Sequence, residues 1–196
     1  MSANVLSPAP SRVVQPLRPA RPARGSVPAL PPLQSLDRCH HKMMEVLADL
    51  TQLVDHLPNQ GVDAATRGRA LAICKFFATI ARQHHADEET LVFPLLIRAK
   101  DALLTRHVLR LQQDHGWLEE DWLELAPQLQ AVAHGYIGYE LDGLRQAVGV
   151  FSDLYQEHIA LEESLIYPEA RRQLAAEAAS RERRLAACAA EAGNMG

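Results

Sequence analysis

Residues 83–94, QHHADEETLVFP, place two histidines and three acids directly before a run of apolar side chains. The surrounding chain, from Phe77 to Leu95, repeats its apolar residues at steps of three and four. This spacing is typical of one face of an α-helix. When the face is followed through the quoted stretch, His84 and Glu88 fall among the apolar residues. These two polar side chains are therefore predicted to point into the core.

Three further segments of the chain show the same helical spacing of apolar residues. The turn signals between the four segments lie at residues 58–61, around 100–101 and at 135–138. Because these turns are short, neighbouring helices are expected to run antiparallel. The predicted fold is all-α, an antiparallel up-down-up-down four-helix bundle over residues 33–170.

Each predicted helix carries one histidine on its apolar face, at nearly equal distances from the turns that it shares with its neighbours. In an antiparallel bundle, these histidines lie in one layer. Two glutamates follow a histidine by four residues, so each His–Glu pair shares one helix face. Burying such groups is costly unless a partner compensates for the lost water, and a metal ion would compensate all of them. The predicted metal ligands are His40, His84, Glu88, His115, His158 and Glu162.

An internal repeat decides which of two adjacent histidines is the predicted ligand. The second and fourth segments match at an offset of 74 residues, and the first and third match at an offset of 75, so the bundle is predicted to be a doubled helical hairpin. The repeat retains His84, but Ile159 stands at the position equivalent to His85. His85 and Glu89 are therefore predicted to be solvated or to lie outside the ligand shell.

A symmetric layer of four histidines and two glutamates suits two metal ions better than one. Each ion can take two imidazoles while both carboxylates bridge the pair. Six donors leave positions for an oxo or hydroxo bridge and for a small exogenous ligand. Imidazole combined with carboxylate admits iron, manganese or zinc. The Glu-x-x-His motif of ferritin-like bundles has the reverse order and a shorter spacing, so those proteins are not the match.

Four stretches carry a resemblance to a known family: LDRCHHKMMEVLADL (36–50), HHADEETLVFPLL (84–96), LQQDHGWLEEDW (111–122) and HIALEESLIYPEAR (158–171). Together they resemble the hemerythrin-like, or HHE cation-binding, domain of the bacterial non-haem di-iron type. The resemblance implies a four-helix bundle with a di-iron centre and the same six ligands. Oxygen carriers of the family have a fifth histidine four residues from another one. This chain has leucine four residues before His115, so it resembles the iron-centre-repair, nitric-oxide-response and F-box iron-sensor branches more closely.

The resemblance implies a protein that holds two non-haem iron ions, oxo- or hydroxo-bridged, and that binds or senses oxygen or nitric oxide. The alternatives are an iron-homeostasis or iron-centre-repair protein and a zinc-bound interaction module, and zinc or manganese remain open as the metal. No catalytic residue is predicted, and a binding protein is favoured over an enzyme. The expected partner is a small diatomic ligand.

The flanks of the bundle have a different composition. Residues 1–32 contain eight of the twelve prolines, four arginines and no acid, which predicts a disordered arm. Residues 171–196 are predicted to form a solvated helix or tail. The chain outside the arm is acidic, which argues against nucleic acid as a partner. Without an apolar run of ~18 residues, and with three cysteines that form no CxxC pair, no membrane association and a cytoplasmic location are expected.

Four further side chains have testable placements. The three-four spacing places Leu91 and Leu165 on the buried faces, beyond the glutamates. Tyr155 lies on its face one turn from a predicted ligand, where it either packs in the core or points its hydroxyl at a metal-bound ligand. Cys39 lies off the face and is expected to be a buried, inert thiol.

Overall fold

The structure, a computed structural model, describes residues 33–136 and 140–193. Within these ranges every secondary-structure element is helical and there is no strand, so the predicted all-α class is confirmed. The predicted arm, residues 1–32, lies outside the described residues.

The helices form four rods joined by short connections. The first and third rods are single helices: α1 (Leu33–Gln60) and α5 (Ala102–Ala133). The second rod is interrupted by the π-helical turns Phe76–Ala81 and Glu88–Val92, which separate α2 (Ala64–Lys75), α3 (Arg82–Asp87) and α4 (Phe93–Arg98). The fourth rod is interrupted by the π-helical turn Glu162–Ile166, which separates α6 (Leu141–Leu161) from α7 (Tyr167–Gly193). Both α1 and α5 pack against α2 and α6, which gives the antiparallel four-helix bundle.

Capping side chains and glycines form the turns between the rods. Asp63 accepts a hydrogen bond from the Thr66 backbone N–H at the start of α2, and Asp101 caps α5 in the same way. Each such cap stabilises the helix by about 1 kcal/mol. Gly61 and Gly135 have φ values of 65° and 91°, a left-handed backbone that glycine adopts without steric cost. The sequence had predicted turns at these places.

The π-helical turns that begin at the two predicted bridging glutamates change which residues face the core. A π-helical turn closes over i→i+5 instead of i→i+4, so the next inward residue comes one position later than in an α-helix. Phe93 and Tyr167 are therefore fully buried. Leu91 is only partly buried and Leu165 is exposed, so the prediction that both face the core is wrong.

The apolar core consists of two clusters, and the residues of the predicted metal layer lie between them along each rod. The larger cluster includes Met43, Leu50, Phe77, Trp122 and Phe151. The smaller cluster includes Leu36, Phe93, Val108, Leu111 and Tyr167. Two apolar walls thus exclude water from the polar layer on both sides.

The second half of α7 projects beyond the bundle. From residue 171 to residue 190 no side chain is buried, which agrees with a solvated helix. None of the helices in the described ranges has an apolar stretch long enough to cross a bilayer.

Candidate metal centre

Four histidines, one from each rod, turn their Nε2 atoms toward two glutamates in the middle of the bundle. His84 Nε2 lies 3.3 Å from Glu88 Oε1, and His158 Nε2 lies 3.3 Å from Glu162 Oε1. Both contacts join residues four apart on one rod, as the spacing predicted. None of the six predicted ligands is more than 6% exposed. The structure therefore brings all six together in one buried layer.

The other two histidines reach the glutamates from neighbouring rods. His40 Nε2 lies 3.1 Å from Glu162 Oε2, and His115 Nε2 lies 3.4 Å from Glu88 Oε2. Each glutamate thus faces one histidine of its own rod and one of another rod. This is a pseudo-twofold arrangement, as expected of the doubled helical hairpin that the internal repeat predicts.

Two overlapping sets of side chains could each hold a metal ion. In each set the ligand atoms lie within 4.8 Å of one another. The set that we call the first position consists of His40, His84, Glu88 and Glu162. The set that we call the second position consists of Glu88, His115, His158 and Glu162. Both sets contain the same two carboxylates, those of Glu88 and Glu162.

Several of the inward atoms are buried without a hydrogen-bond partner. They are Glu88 Oε2, His115 Nε2, His158 Nε2 and both carboxylate oxygens of Glu162. Buried polar atoms in proteins are otherwise almost always hydrogen-bonded, and an unpaired one is costly. A metal cation that accepts imidazole nitrogen and carboxylate oxygen would satisfy all of them at once. The residues present therefore fit a metal centre.

The electrostatics of the layer favour positive charge between the glutamates. Burial disfavours the charged form of Glu88, but the imidazoles of His115 and His84 hold its pKa well below the usual range. Burial also opposes protonation of His84, yet the Cys39 thiol and Glu88 raise the pKa of His84 to about 10. A proton therefore occupies the His84 imidazole when no cation is bound. Metal binding therefore releases protons from the layer.

The outward nitrogens of two histidines are held by equivalent glutamates. Glu89 Oε1 lies 2.8 Å from His115 Nδ1, and Glu163 Oε1 lies 3.2 Å from His40 Nδ1. Each of these glutamates directly follows a predicted bridging glutamate, so the contacts repeat around the pseudo-twofold axis. A carboxylate that accepts the Nδ1–H bond leaves the Nε2 lone pair directed inward. Glu89 therefore supports a predicted ligand from outside the ligand shell, which is one of its two predicted roles.

The remaining two histidines have different outer partners. Asp114 is buried, with Oδ2 3.7 Å from His158 Nδ1. Although burial opposes protonation, Glu162 and Asp114 raise the pKa of His158 to about 9. The ring of His84 interacts instead with the thiol of Cys39. The prediction that Cys39 is buried is wrong, because it is half-buried and lines a surface groove.

His85 is not a solvated residue. Its Nε2 is buried without a hydrogen-bond partner, and its ring stacks on His115 with the centroids 4.1 Å apart. With His115 and His158 it forms a third set of possible metal ligands. Burial and these two neighbouring histidines lower the pKa of His85 well below its usual range, so it is neutral, the form in which imidazole binds metals. His85 thus offers a third imidazole to the second position.

The repeat did not indicate that His85 faces inward, so the solvated alternative is wrong, and its place outside the ligand shell stays a prediction. A helix face that packs on a core is about 100° wide or more, so two adjacent residues can both point inward. The equivalent residue Ile159 is itself 5% exposed, which shows that this position faces inward in both halves of the repeat. Ile159 has no donor atom, but a histidine at the equivalent position, such as His85, can direct its ring toward the layer.

Tyr167 is a residue of the layer that the sequence did not reveal. Its hydroxyl donates a hydrogen bond to Glu88 Oε1 and lies 3.1 Å from His40 Nε2. Its ring stacks on His40, with centroids 5.1 Å apart and planes within 7°. The repeat aligned Tyr167 with Phe93, but the three-four spacing did not place either one inward, because that spacing assumes an uninterrupted α-helix.

Tyr155 has the simpler of its two predicted roles. It is 3% exposed and packs against Phe77, Phe151 and His85, with ring centroids 5.0–5.8 Å apart. Within residues 33–136 and 140–193 its hydroxyl makes no hydrogen bond to a predicted ligand. Tyr155 is therefore a core residue at the edge of the layer.

Comparison with known proteins agrees with the geometry. Residues 32–170 match the hemerythrin family, described as the hemerythrin HHE cation-binding domain. An uncharacterized protein of Haemophilus influenzae is 31% identical over 134 residues, which are 68% of this chain and 76% of that protein. No solved structure gives a significant match. With an HHE match across the whole bundle and a buried histidine–glutamate layer at its centre, the chain belongs to the hemerythrin HHE cation-binding family.

Proposed function

We propose that this protein holds two non-haem iron ions, one at each position of the layer, and that its exogenous ligand is a small diatomic molecule, oxygen or nitric oxide. The observation that carries the proposal is that two donor sets share Glu88 and Glu162. A protein that needed one ion would not require two sets of imidazoles around the same pair of carboxylates. The family's cation-binding description supports the proposal.

The number and kind of donors favour iron over zinc. Structural zinc takes four ligands in a tetrahedral site. Around the second position, His115 and His158 belong to one set with two carboxylates and to another set with the His85 imidazole, and the donors of both sets together exceed the four that a tetrahedral ion accepts. Mixed nitrogen and oxygen donors in greater number suit six-coordinate ions such as iron or manganese. When bound, iron supplies redox chemistry and affinity for diatomic ligands.

The burial of the layer limits the size and polarity of the exogenous ligand. A narrow crevice with a volume of about 10 Å³ leads toward His85 between Phe77, Trp122 and Tyr155. A wider groove on another face passes Leu36 and Cys39 before it reaches His84. The crevice is lined mainly by apolar side chains, whereas charged side chains such as Arg38, Lys42 and Asp87 also line the groove. A small neutral molecule suits the final approach to the buried layer, because a charged one would lose its water there.

The protein's own residues bind and orient the centre. Glu89 and Glu163 orient the His115 and His40 rings so that their Nε2 atoms would bind the metal, and the carboxylates of Glu88 and Glu162 would be shared by both positions. Packing on both sides keeps water out, which strengthens every electrostatic interaction inside the layer.

Metal analysis of protein made in iron-rich medium tests the proposal. We expect about two iron ions per chain, in line with a paired site. His84→Ala should lower the content to about one ion or fewer, because it removes an imidazole from the first position. His41→Ala is the matched control, since His41 is adjacent in α1 to a predicted ligand but is exposed and bonded to the Asp37 carbonyl.

The outcomes separate the alternatives. Zinc in place of iron would support an interaction module, and no bound metal would contradict the proposal. For the ligand, the anaerobically reduced protein is titrated with nitric oxide and, separately, with oxygen while its optical spectrum is recorded. If neither gas changes the spectrum while iron is released readily to a chelator, the iron-homeostasis alternative is favoured instead.

A further inference from the structure

Two side chains that face the centre break its internal repeat, and they lie at different metal positions. His85 is replaced by Ile159 in the second copy, and Tyr167 is replaced by Phe93 in the first copy. His85 adds an imidazole beside His115, in the second position. Tyr167 adds an oxygen in the first position. The backbone and the six predicted ligands of the centre are therefore symmetric, whereas the additional side chains around them are not.

The Tyr167 oxygen lies among the donor atoms of the first position. It is hydrogen-bonded to Glu88 Oε1 and is 3.1 Å from His40 Nε2. His40 Nε2 is itself 3.0 Å from His84 Nε2, so these atoms surround one small volume. The tyrosine is fully buried, and its ring is held by stacking on His40. The oxygen thus has no room to turn away into solvent.

A structural hydrogen bond to a glutamate is the simplest role for a buried tyrosine, but the atom that Tyr167 contacts also lies among the predicted ligand atoms. Glu88 Oε1 is an inward oxygen that also faces His84 Nε2 at 3.3 Å. A cation bound at this oxygen would lie close to the Tyr167 oxygen as well, because the two oxygens are hydrogen-bonded to each other. The Tyr167 oxygen therefore stands where a further donor to that cation would be placed.

Phe93 shows that packing alone does not require the hydroxyl. It occupies the equivalent position in the other half of the repeat and stacks on His115 with centroids 5.6 Å apart and planes within 16°. Tyr167 stacks on His40 in nearly the same way. The two aromatic rings serve one packing role, so the oxygen of Tyr167 is the only part that differs between them.

We propose that the Tyr167 oxygen is a direct donor to the metal ion at the first position, a role that rests on the proposed function. The phenol proton passes to solvent on binding, as it does when other acidic ligands bind metals. The first position then has two imidazoles, two carboxylates and a phenolate. The second has two imidazoles and two carboxylates, with the His85 imidazole beside two of them. Tyrosine oxygen is a known ligand of ferric iron in haem proteins.

Optical and resonance Raman spectra of the full chain test this assignment. The protein is loaded anaerobically with ferrous iron and then exposed to air, which oxidises the iron at the expense of oxygen. We expect a tyrosinate-to-iron charge-transfer band in the visible region, with resonance-enhanced phenolate ring modes. Tyr167→Phe should abolish both signals. Tyr155→Phe is the matched control, since Tyr155 is also buried beside the layer but makes no contact with the first position.

The iron content is measured on the same samples and separates the two proposals. About two ions per chain without a phenolate signal would overturn the assignment of Tyr167 and leave the di-iron function standing. No bound iron would overturn both. If Tyr167→Phe fails to fold, ring-deuterated tyrosine keeps the test decisive. The enhanced modes of wild type and of Tyr155→Phe must then shift, and unshifted modes would overturn the assignment.

Discussion

The two metal positions share two carboxylates and differ in what surrounds them. The first position lies beside the Tyr167 hydroxyl and the Cys39 thiol. The second lies beside the His85 imidazole, the apolar ring of Phe93 and the buried carboxylate of Asp114. The repeated helical hairpin gives both positions the same backbone geometry. A few side chains that differ between the two repeats make the positions chemically distinct. A duplicated hairpin can therefore hold a pair of ions with different surroundings.

The largest expected effect comes from removing what the two positions share. Glu88→Ala deletes a carboxylate that belongs to both donor sets, so the iron content should fall from about two ions per chain toward none, as expected for a bridged pair. Inductively coupled plasma mass spectrometry measures the content, and circular dichroism checks that the helices remain. Glu45→Ala, at an exposed position of α1, is the control. One ion retained in full would show that Glu88 does not bridge.

Removing a histidine that belongs to one position should cost about one ion, because each imidazole serves a single ion of the pair. His158→Ala is expected to empty the second position and His84→Ala the first. Mössbauer spectra of the two variants loaded with labelled iron should then show different single sites. Identical spectra would mean that the two positions are equivalent, which would contradict the chemical difference between them.

His85→Ala sharpens the comparison further, since it changes the second position alone. If His85 lies outside the ligand shell, as the sequence predicts, this substitution leaves the content near two ions. The buried Nε2 beside His115 predicts weaker binding at one position, by more than the roughly 10–100-fold that loss of an outer partner costs. Competition with a graded series of chelators measures the affinity. An unchanged metal affinity would show that His85 only packs against its neighbours.

The smallest expected effects come from the outer glutamates. Glu89→Gln acts on the second position and Glu163→Gln on the first, through the His115 and His40 rings that they hold. Each should lower the metal affinity of its own position by about 10–100-fold, because the ring loses its charged partner. The same chelator series serves here. Equal weakening of both positions by either variant would show that the two ions bind as one cooperative unit.

Much of this molecule follows from the spacing of residues along the chain. Steps of three and four predicted the helices, short turn signals predicted their antiparallel order, and equal distances from the turns placed four histidines in one layer. Each of these properties is local or nearly so, because an α-helix has a fixed rise and period. The pairing of His84 with Glu88 and of His158 with Glu162 needed nothing beyond that period.

Only the tertiary structure decided which further side chains reach the centre. A π-helical turn adds one residue to the helical period. The spacing of apolar residues did not predict the π-helical turn that places Tyr167, and not Leu165, in the core. His85 faces the centre because a neighbouring rod brings the His115 ring onto it. The sequence of a helix does not determine how wide its buried face is. The packing of the other rods determines which residues at the edge of that face are buried.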